Sequence, residues 1–205
     1  DRYYAIKGTN KLPPIEWSSS GYYAVDYVMG KGVPKGRFIQ VTGWESVGKT
    51  WLALELAARY QKDNKLVYWI EAGEASFDRD LASYIGLDVD NIGFLKADTA
   101  EKAAESIRDI LKAGIVDLLI VDSIAGFIPE KEIEDELAAQ NMCLLSRLLS
   151  KALKQYKTLM DKHGTTMVVI NQIRAKPGVT YGNPETLCTG NAIKYYSDII
   201  LRMSK

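Results

Sequence analysis

Apolar and polar positions follow one another along this chain in blocks that predict strands separated by helices. Mostly apolar runs predict buried strands at 38–41, 65–71, 116–121, 166–171 and 197–203, with a weaker candidate at 91–96. Apolar residues spaced three and four apart predict helices after residue 50, at 100–111 and at 137–162, a segment that contains neither Gly nor Pro. Shorter helices are expected at 21–29 and 75–85, each followed by a glycine.

This alternation predicts an α/β fold with three layers, in which a mostly parallel sheet carries helices on both faces. Active sites of such folds lie at the carboxyl ends of the strands. Polar residues follow the predicted strands at 43–50, 71–74, 122–123 and 171–172. Residues 1–20 show little periodicity and are expected to form a lead-in segment, whereas residues 21–205 are expected to form the domain.

The first long strand leads into Gly43-Trp44-Glu45-Ser46-Val47-Gly48-Lys49-Thr50, which matches the phosphate-binding loop pattern G-x-x-x-x-G-K-[ST]. Its two glycines allow backbone N–H groups to turn toward an anion at the start of a helix. Lys49 places a positive charge against the β- and γ-phosphates, and Thr50 offers a hydroxyl to Mg²⁺. A glycine-rich turn can match this pattern by chance, but the strand before it and the helix after it favour nucleotide binding.

We expect Asp122, at the end of the apolar run 116–121, to hold Mg²⁺ beside Thr50. The alternative is that Asp122 caps the next helical element. Hydrolysis also needs a group that orients water at the γ-phosphate, and both Glu71 and Glu74 qualify by position. Gln172 follows the strand 166–171 and is a candidate to contact the γ-phosphate, or else an ordinary polar residue at a strand end.

Composition limits the partners of the chain. Lys plus Arg and Asp plus Glu both total 26, so the formal net charge is zero and any nucleic-acid contact must be local. Two cysteines, Cys143 and Cys188, are too few for a disulfide framework and fit a reducing compartment. A single histidine, His163, makes a histidine metal cluster impossible. No apolar run approaches a membrane span, so we expect a cytoplasmic protein with no membrane partner.

Several motifs together resemble the RecA family of bacterial and phage DNA recombinases. They are GWESVGKT, EASFD at 74–78, IGLDVDN at 85–91, VDLLIVDSIAGFIPE, INQIRAKPGV, and YGNPET followed by GNAIKYY. These segments cover roughly residues 16–203 in the order of the family. The resemblance implies a P-loop NTPase with a RecA-like core, using ATP and Mg²⁺, whose ATPase activity depends on single-stranded DNA.

The resemblance also assigns roles to individual residues. It implies that Glu74 activates water, in preference to Glu71, that Gln172 senses the γ-phosphate beside Lys49, and that Asp78 lies near the adenine. It places the first DNA-binding loop at about 134–142 and the second at 174–189, and it implies that Lys194 reaches the ATP of a neighbouring subunit. The expected nucleotide contacts are Gly43, Glu45, Ser46, Val47, Gly48, Lys49, Thr50, Trp51 and Asp78. The expected DNA contacts are Arg174, Lys176, Gly178, Tyr181 and Gly182.

The chain departs from the family at several points. Trp44 replaces the usual proline of the phosphate loop, and Leu81 stands where the family commonly stacks a tyrosine on the adenine. The amino-terminal docking elements are not evident in residues 1–15, and the family's carboxy-terminal domain is expected to be absent. We therefore expect self-association into a filament if those segments are supplied, and otherwise a monomer.

Three functions are compatible with these observations. The leading hypothesis is an ATP-dependent recombinase core that binds single-stranded DNA and promotes homologous pairing and strand exchange. The second is a ring helicase with the same fold, and the YGNPET segment favours the first hypothesis over it. The third is a truncated nucleotide-binding core without productive DNA activity, which the missing terminal segments favour.

Overall fold

The structure, a computed structural model, describes residues 14–73, 76–134, 142–175, 185–187, 189 and 192–204. The strands in chain order are β1 Trp17–Ser18, β2 Val33–Pro34, β3 Phe38–Gly43, β4 Val67–Ala72, β5 Gly93–Ala97, β6 Leu118–Asp122, β7 Thr166–Ala175, β8 Glu185–Leu187 and β9 Ile199–Met203. The helices are α1 Tyr23–Met29, α2 Lys49–Lys62, α3 Arg79–Ile85, α4 Ala100–Ala113, α5 Glu130–Glu134, α6 Met142–His163 and α7 Ala192–Tyr196, and a 3₁₀ helix spans Ile124–Gly126.

The main sheet has the strand order β5-β4-β6-β7-β3-β9, and every pair along this path is parallel. The short strand β8 pairs antiparallel with the end of β7. Buried apolar residues form one cluster on the α4 and α6 face and another on the α2 and α3 face. The expectation of a three-layer, mostly parallel α/β fold is confirmed, and its central strands are apolar because both faces are covered.

Several predicted boundaries were wrong. The helix expected over 75–85 begins at Arg79, because the Asp78 carboxylate accepts hydrogen bonds from the backbone N–H groups of Asp80 and Leu81 and so caps the helix there. Strand β7 continues to Ala175, beyond the predicted end at residue 171, because β8 pairs with that extension. Helix α6 begins at Met142 among the described residues, and residues 137–141 of the predicted long helix lie outside them.

Part of the expected lead-in is ordered by pairing. Trp17 and Ser18 form β1 and pair antiparallel with Pro34 and Val33 of β2. Ser18 also accepts a hydrogen bond from the Lys65 ammonium group at 2.5 Å, which joins this segment to the chain just before β4. Among the described residues, no helix has both the length and the apolar character that a bilayer crossing requires.

Candidate functional site

The phosphate loop lies between the end of β3 at Gly43 and the start of α2 at Lys49. Ser46 and Gly48 have φ angles of +57° and +90°, both in the left-handed region. A left-handed residue is unusual for serine and reverses the direction of the backbone amides. The positive dipole end of α2 begins at this loop, so the loop has the local geometry of an anion site.

Lys49 is held at this loop by backbone oxygens. Its ammonium group donates to the carbonyl oxygen of Gly43 at 3.2 Å and to that of Trp44 at 2.6 Å, and the residue is only 8% exposed. A phosphate oxygen in the loop would compete with these neutral carbonyls for the same donor, and a charged acceptor makes the stronger hydrogen bond. The lysine is therefore positioned to deliver its charge to an anion bound by the loop.

Thr50 and Asp122 meet beside Lys49. The Thr50 hydroxyl donates to Asp122 Oδ2 at 2.8 Å, and the aspartate is buried at the carboxyl end of β6. Burial raises the pKa of Asp122, against the hydrogen bond from Thr50 and the nearby Lys49 charge, both of which lower it. The capping alternative does not describe this aspartate, because the following 3₁₀ helix begins after Ser123 and has no side-chain cap.

A cleft of about 980 Å³ opens above the carboxyl ends of the strands. The predicted site residues that line it are Glu45, Ser46, Gly48, Lys49, Thr50, Trp51, Asp122, Gln172 and Arg174. The fold thus brings the phosphate loop, the predicted metal ligands, the predicted γ-phosphate sensor and a predicted DNA contact to one cleft. Arg174 lies two residues beyond Gln172 on β7, so the segment predicted to bind DNA starts at the wall of this cleft.

The other predicted site residues that the structure describes are Gly43, Val47, Asp78 and Lys194. Gly43 is buried under the loop and Val47 is half-buried, whereas Lys194 is exposed on α7. Asp78 is exposed and caps α3 through one carboxylate oxygen. The predicted residues Glu74, Lys176, Gly178, Tyr181 and Gly182 lie outside the described residues.

Glu71, the other carboxylate considered for water activation, has a structural role. It is 4% exposed at the end of β4, and its Oε1 accepts hydrogen bonds from the backbone N–H groups of Ser76 at 2.8 Å and Phe77 at 2.9 Å. Its second oxygen lies 3.8 Å from the Lys96 ammonium group. These contacts hold the chain that follows Glu74 against the end of the sheet.

Sequence reasoning missed several residues of this cleft. Gly73, with a φ of +77°, and Gly126 of the 3₁₀ helix approach each other backbone to backbone, so a side-chain carbon on Gly73 would lie 2.8 Å from the Gly126 Cα. Ser76 lines the cleft and its hydroxyl donates to the Asp122 carbonyl oxygen at 3.3 Å. The family motifs contain Ser76 and Gly126 but give them no role, and a glycine soon after a predicted strand end, such as Gly73, is a signal for close approach of two backbones.

The far end of the predicted second DNA loop, Thr189, is joined to β7 at Asn171, three residues before the loop begins. Asn171 is fully buried on β7, and its side-chain N–H donates to the Thr189 hydroxyl at 2.9 Å. The Asn171 side-chain oxygen accepts from the backbone N–H of Gln172 at 2.9 Å. A movement of the Gln172 backbone would therefore act directly on Asn171, which anchors Thr189.

These residues fit a nucleotide with Mg²⁺. Within the ranges that the structure describes, no group of three or more His, Cys, Asp or Glu side chains forms a metal cage. Mg²⁺ is commonly held by one or two protein oxygens together with substrate phosphates and water, and Thr50 and Asp122 supply two adjacent oxygens beside the loop. The donor set therefore suits a metal that arrives with a phosphate ligand.

Comparison with known proteins identifies relatives that match nearly all of this chain. The family model described as the RecA N-terminal domain matches residues 5–205. Protein RecA of Mycoplasmopsis pulmonis is 42% identical over 201 residues, which are 98% of this chain and 59% of that protein. Protein RecA of Mesomycoplasma hyopneumoniae (strain 7448) is 40% identical over 204 residues, 98% of this chain and 60% of that protein. Protein RecA of Nostoc punctiforme is 38% identical over 187 residues, 91% of this chain and 52% of that protein.

This chain spans between half and about three-fifths of the length of these relatives. The match runs over nearly all of the chain and includes every element of the main sheet. The resemblance seen in the motifs is confirmed. The chain belongs to the RecA family.

Proposed function

We propose that this chain is an ATP-binding and ATP-hydrolysing core of a RecA-type recombinase, which binds single-stranded DNA and promotes homologous pairing and strand exchange. The observation that carries the proposal is the convergence of Lys49, the Thr50–Asp122 pair and Gln172 on one cleft at the carboxyl ends of parallel strands. This is where nucleotide sites of open α/β sheets lie. The family to which the chain belongs supports the DNA activity.

In this proposal the chain would hold ATP and Mg²⁺, and hydrolysis would replace the bond between the β- and γ-phosphates by a bond from a water oxygen to the γ-phosphorus, which releases ADP and phosphate. The loop N–H groups and Lys49 hold negative charge, and Thr50 and Asp122 hold the metal through oxygen or through water. Glu74 orients or activates water, since Glu71 is engaged by two backbone N–H groups. Gln172 contacts the terminal phosphate, and this contact changes the position of Arg174 and of the segment that follows.

The nucleotide site is tested by replacing Lys49. The variant Lys49→Ala should lose at least about tenfold in ATP affinity, because it removes a charge-assisted contact to phosphate. Titration calorimetry in Mg²⁺ measures this loss, and Lys154→Ala, which changes an exposed lysine of α6, is the matched control. Undiminished binding and hydrolysis in Lys49→Ala would overturn the site assignment.

The choice between the two glutamates is tested by hydrolysis. Glu74→Gln keeps the size of the side chain and removes its charge, so hydrolysis should slow by about 10²-fold while ATP still binds. Glu71→Gln keeps an oxygen that accepts from Ser76 and Phe77, so it should change hydrolysis less. A larger loss in Glu71→Gln than in Glu74→Gln would contradict the role given to Glu74.

The DNA activity is tested by measuring affinity with and without nucleotide. We expect binding of fluorescent single-stranded DNA, followed by anisotropy, to tighten when a non-hydrolysable ATP analogue is added. Arg174→Ala should weaken this binding, whereas Arg108→Ala, on the distant helix α4, should not. Absence of DNA binding at low salt would favour the alternative of a nucleotide-binding core without DNA activity. DNA-stimulated hydrolysis with duplex unwinding but no strand pairing would favour the ring helicase.

Self-association belongs to the same proposal. Lys194 is exposed on α7, and we propose that its ammonium group contacts the nucleotide of a neighbouring copy. Lys194→Ala should lower the ATPase rate per chain at high protein concentration, where copies associate. It should leave the ATP affinity of the dilute protein unchanged.

A further inference from the structure

The tryptophan that replaces proline in the phosphate loop contacts a distant strand. The indole N–H of Trp44 donates to Oε1 of Glu185 at 3.2 Å, across 141 residues of sequence. The Arg202 guanidinium donates to the same oxygen at 2.7 Å. One carboxylate therefore joins three segments: the phosphate loop, β8 and β9.

Glu185 lies where the predicted second DNA loop returns to the sheet. It is the first residue of β8, and its Cα partner is Ala175 on β7. The pairing of β8 with β7 begins at Ile173, directly after the proposed γ-phosphate sensor Gln172. Displacement of Glu185 would therefore act on the loop from β8, where the loop returns to the sheet. Gln172 acts on it from β7, where the loop leaves the sheet.

Trp44 is also joined to the phosphate-binding lysine. Its backbone carbonyl accepts from the Lys49 ammonium group at 2.6 Å. The residue before it, Gly43, is fixed against β9, since a side-chain carbon on that glycine would lie 2.7 Å from the Met203 carbonyl oxygen. Trp44 thus contacts Lys49 through its backbone and Glu185 through its side chain, from a restrained position.

We propose that Trp44 and Glu185 are a pair of positioning residues that tie β8 to the phosphate loop and carry nucleotide binding to the DNA-binding segment by a route that does not pass through Gln172. A bound phosphate accepts a hydrogen bond from the Lys49 ammonium group and from the N–H groups of the loop. These bonds fix the backbone of the loop at Trp44. The indole then holds Glu185, and with it β8, against β7. The inference rests on the proposed function, and linkage requires that DNA held by this segment tighten nucleotide binding in return.

The contact suits a coupling role better than a stabilising one. Trp44 is 41% exposed, and the Arg202 and Glu185 side chains are 53% and 20% exposed, so solvent reaches the network and screens its charges. Trp44→Phe keeps the aromatic ring and deletes the N–H donor. Trp17→Phe makes the same change at another partly exposed tryptophan, on β1, and is the matched control.

The first measurement follows β8 directly. Hydrogen exchange of the amides of Glu185–Leu187 should slow in the wild-type protein and in Trp17→Phe when an ATP analogue and Mg²⁺ are added. In Trp44→Phe the slowing should be roughly fivefold smaller, a factor at the lower end of coupling between sites. Equal slowing in Trp44→Phe and Trp17→Phe, or no slowing in a wild-type protein saturated with the analogue, would overturn the proposal.

The second measurement is the gain in single-stranded DNA affinity caused by the analogue. Glu185→Ala should lose most of this gain, and Glu185→Gln should retain part of it because its amide oxygen still accepts from Trp44. Equal gains in wild type and Glu185→Ala would overturn the proposal. If the wild-type protein gains no DNA affinity, the DNA activity under "Proposed function" fails, and the exchange of the β8 amides alone decides the role of Trp44.

Discussion

Thr50 and Asp122 are 72 residues apart in the chain, yet a 2.8 Å hydrogen bond joins their side chains. Valine has nearly the shape of threonine but no hydroxyl, so Thr50→Val removes the donor to Asp122 and the proposed metal ligand together. We expect ATP affinity in Mg²⁺ to fall by roughly tenfold and affinity in EDTA to change little. Calorimetry on Thr50→Val and on Thr158→Val, an exposed position of α6, tests this, and an equal loss with and without metal would contradict it.

For Glu71 we predict an effect on the stability of the fold. Glu71→Ala leaves the backbone N–H groups of Ser76 and Phe77 without their acceptor, so the free energy of unfolding should fall by about 2 kcal/mol. Urea denaturation measures this change. Glu105→Ala, on the exposed face of α4, should leave stability nearly unchanged because alanine suits a helix surface.

The sequence predicts some of these residues and not others for a physical reason. Lys49 and Thr50 belong to one contiguous motif, and Asp122 follows an apolar strand whose end must face the same edge of the sheet. The role of Glu71 depends on how residues 76 and 77 fold back over β4, and no local pattern contains that information. The Trp44–Glu185 contact likewise joins segments that only the complete sheet brings together.

At the scale of elements, helices α4 and α6 pack on one face of the sheet and are also joined by a hydrogen bond. The buried Tyr156 hydroxyl donates to the Ala104 carbonyl oxygen at 2.7 Å. Tyr156→Phe keeps the ring in the core and removes this hydrogen bond. The free energy of unfolding at neutral pH should therefore be about 1 kcal/mol lower than in wild type. Urea denaturation measures the difference.

The same tyrosine gives a pH dependence. Burial raises the pKa of Tyr156 above its ordinary value of 10.0. In the unfolded chain the phenol loses its proton near pH 10, whereas the folded protein retains it to higher pH, so the unfolded state binds fewer protons there and stability falls as pH rises. Below pH 10 the phenol is protonated in both states, and the stability that it contributes is fully present. Tyr156→Phe should lose less stability than wild type between pH 9 and pH 11, and Tyr60, whose pKa burial also raises, contributes equally to both proteins.

Element boundaries were harder to predict than element types. The helix predicted over 75–85 does not include Phe77, which is covered by Trp69 and Phe94, with ring centroids 5.2 and 5.1 Å away, as part of an extended segment before α3. The capping geometry of Asp78 decides where the helix begins. Strand β7 likewise outruns its apolar stretch, because pairing with β8 satisfies the backbone of its polar end.

At the scale of the whole molecule, a formal net charge of zero limits the electrostatic part of DNA binding. With Arg174 and Lys176 as the cations of the second loop, we expect each subunit to neutralise about two or three phosphates. The logarithm of affinity should then fall against the logarithm of salt concentration with a slope of about −1.4 to −2.1. Anisotropy over a salt series measures the slope. Arg174→Ala should reduce its magnitude by about 0.7, and a slope steeper than about −4 would mean that further basic residues contact DNA.

The backbone contact between Gly73 and Gly126 has a consequence for the variation that this fold accepts. Most crowded positions tolerate a larger residue when a neighbouring side chain shrinks. Here a side-chain carbon on Gly73 would meet the main chain of Gly126, and one on Gly126 would meet the main chain of Ala72 and Gly73, which no substitution can make smaller. A second mutation therefore cannot make room for a side chain at either position. In a library that randomises both codons together, functional clones should retain glycine at each position separately, with no compensating pairs, so we expect this part of the cleft wall to accept little variation.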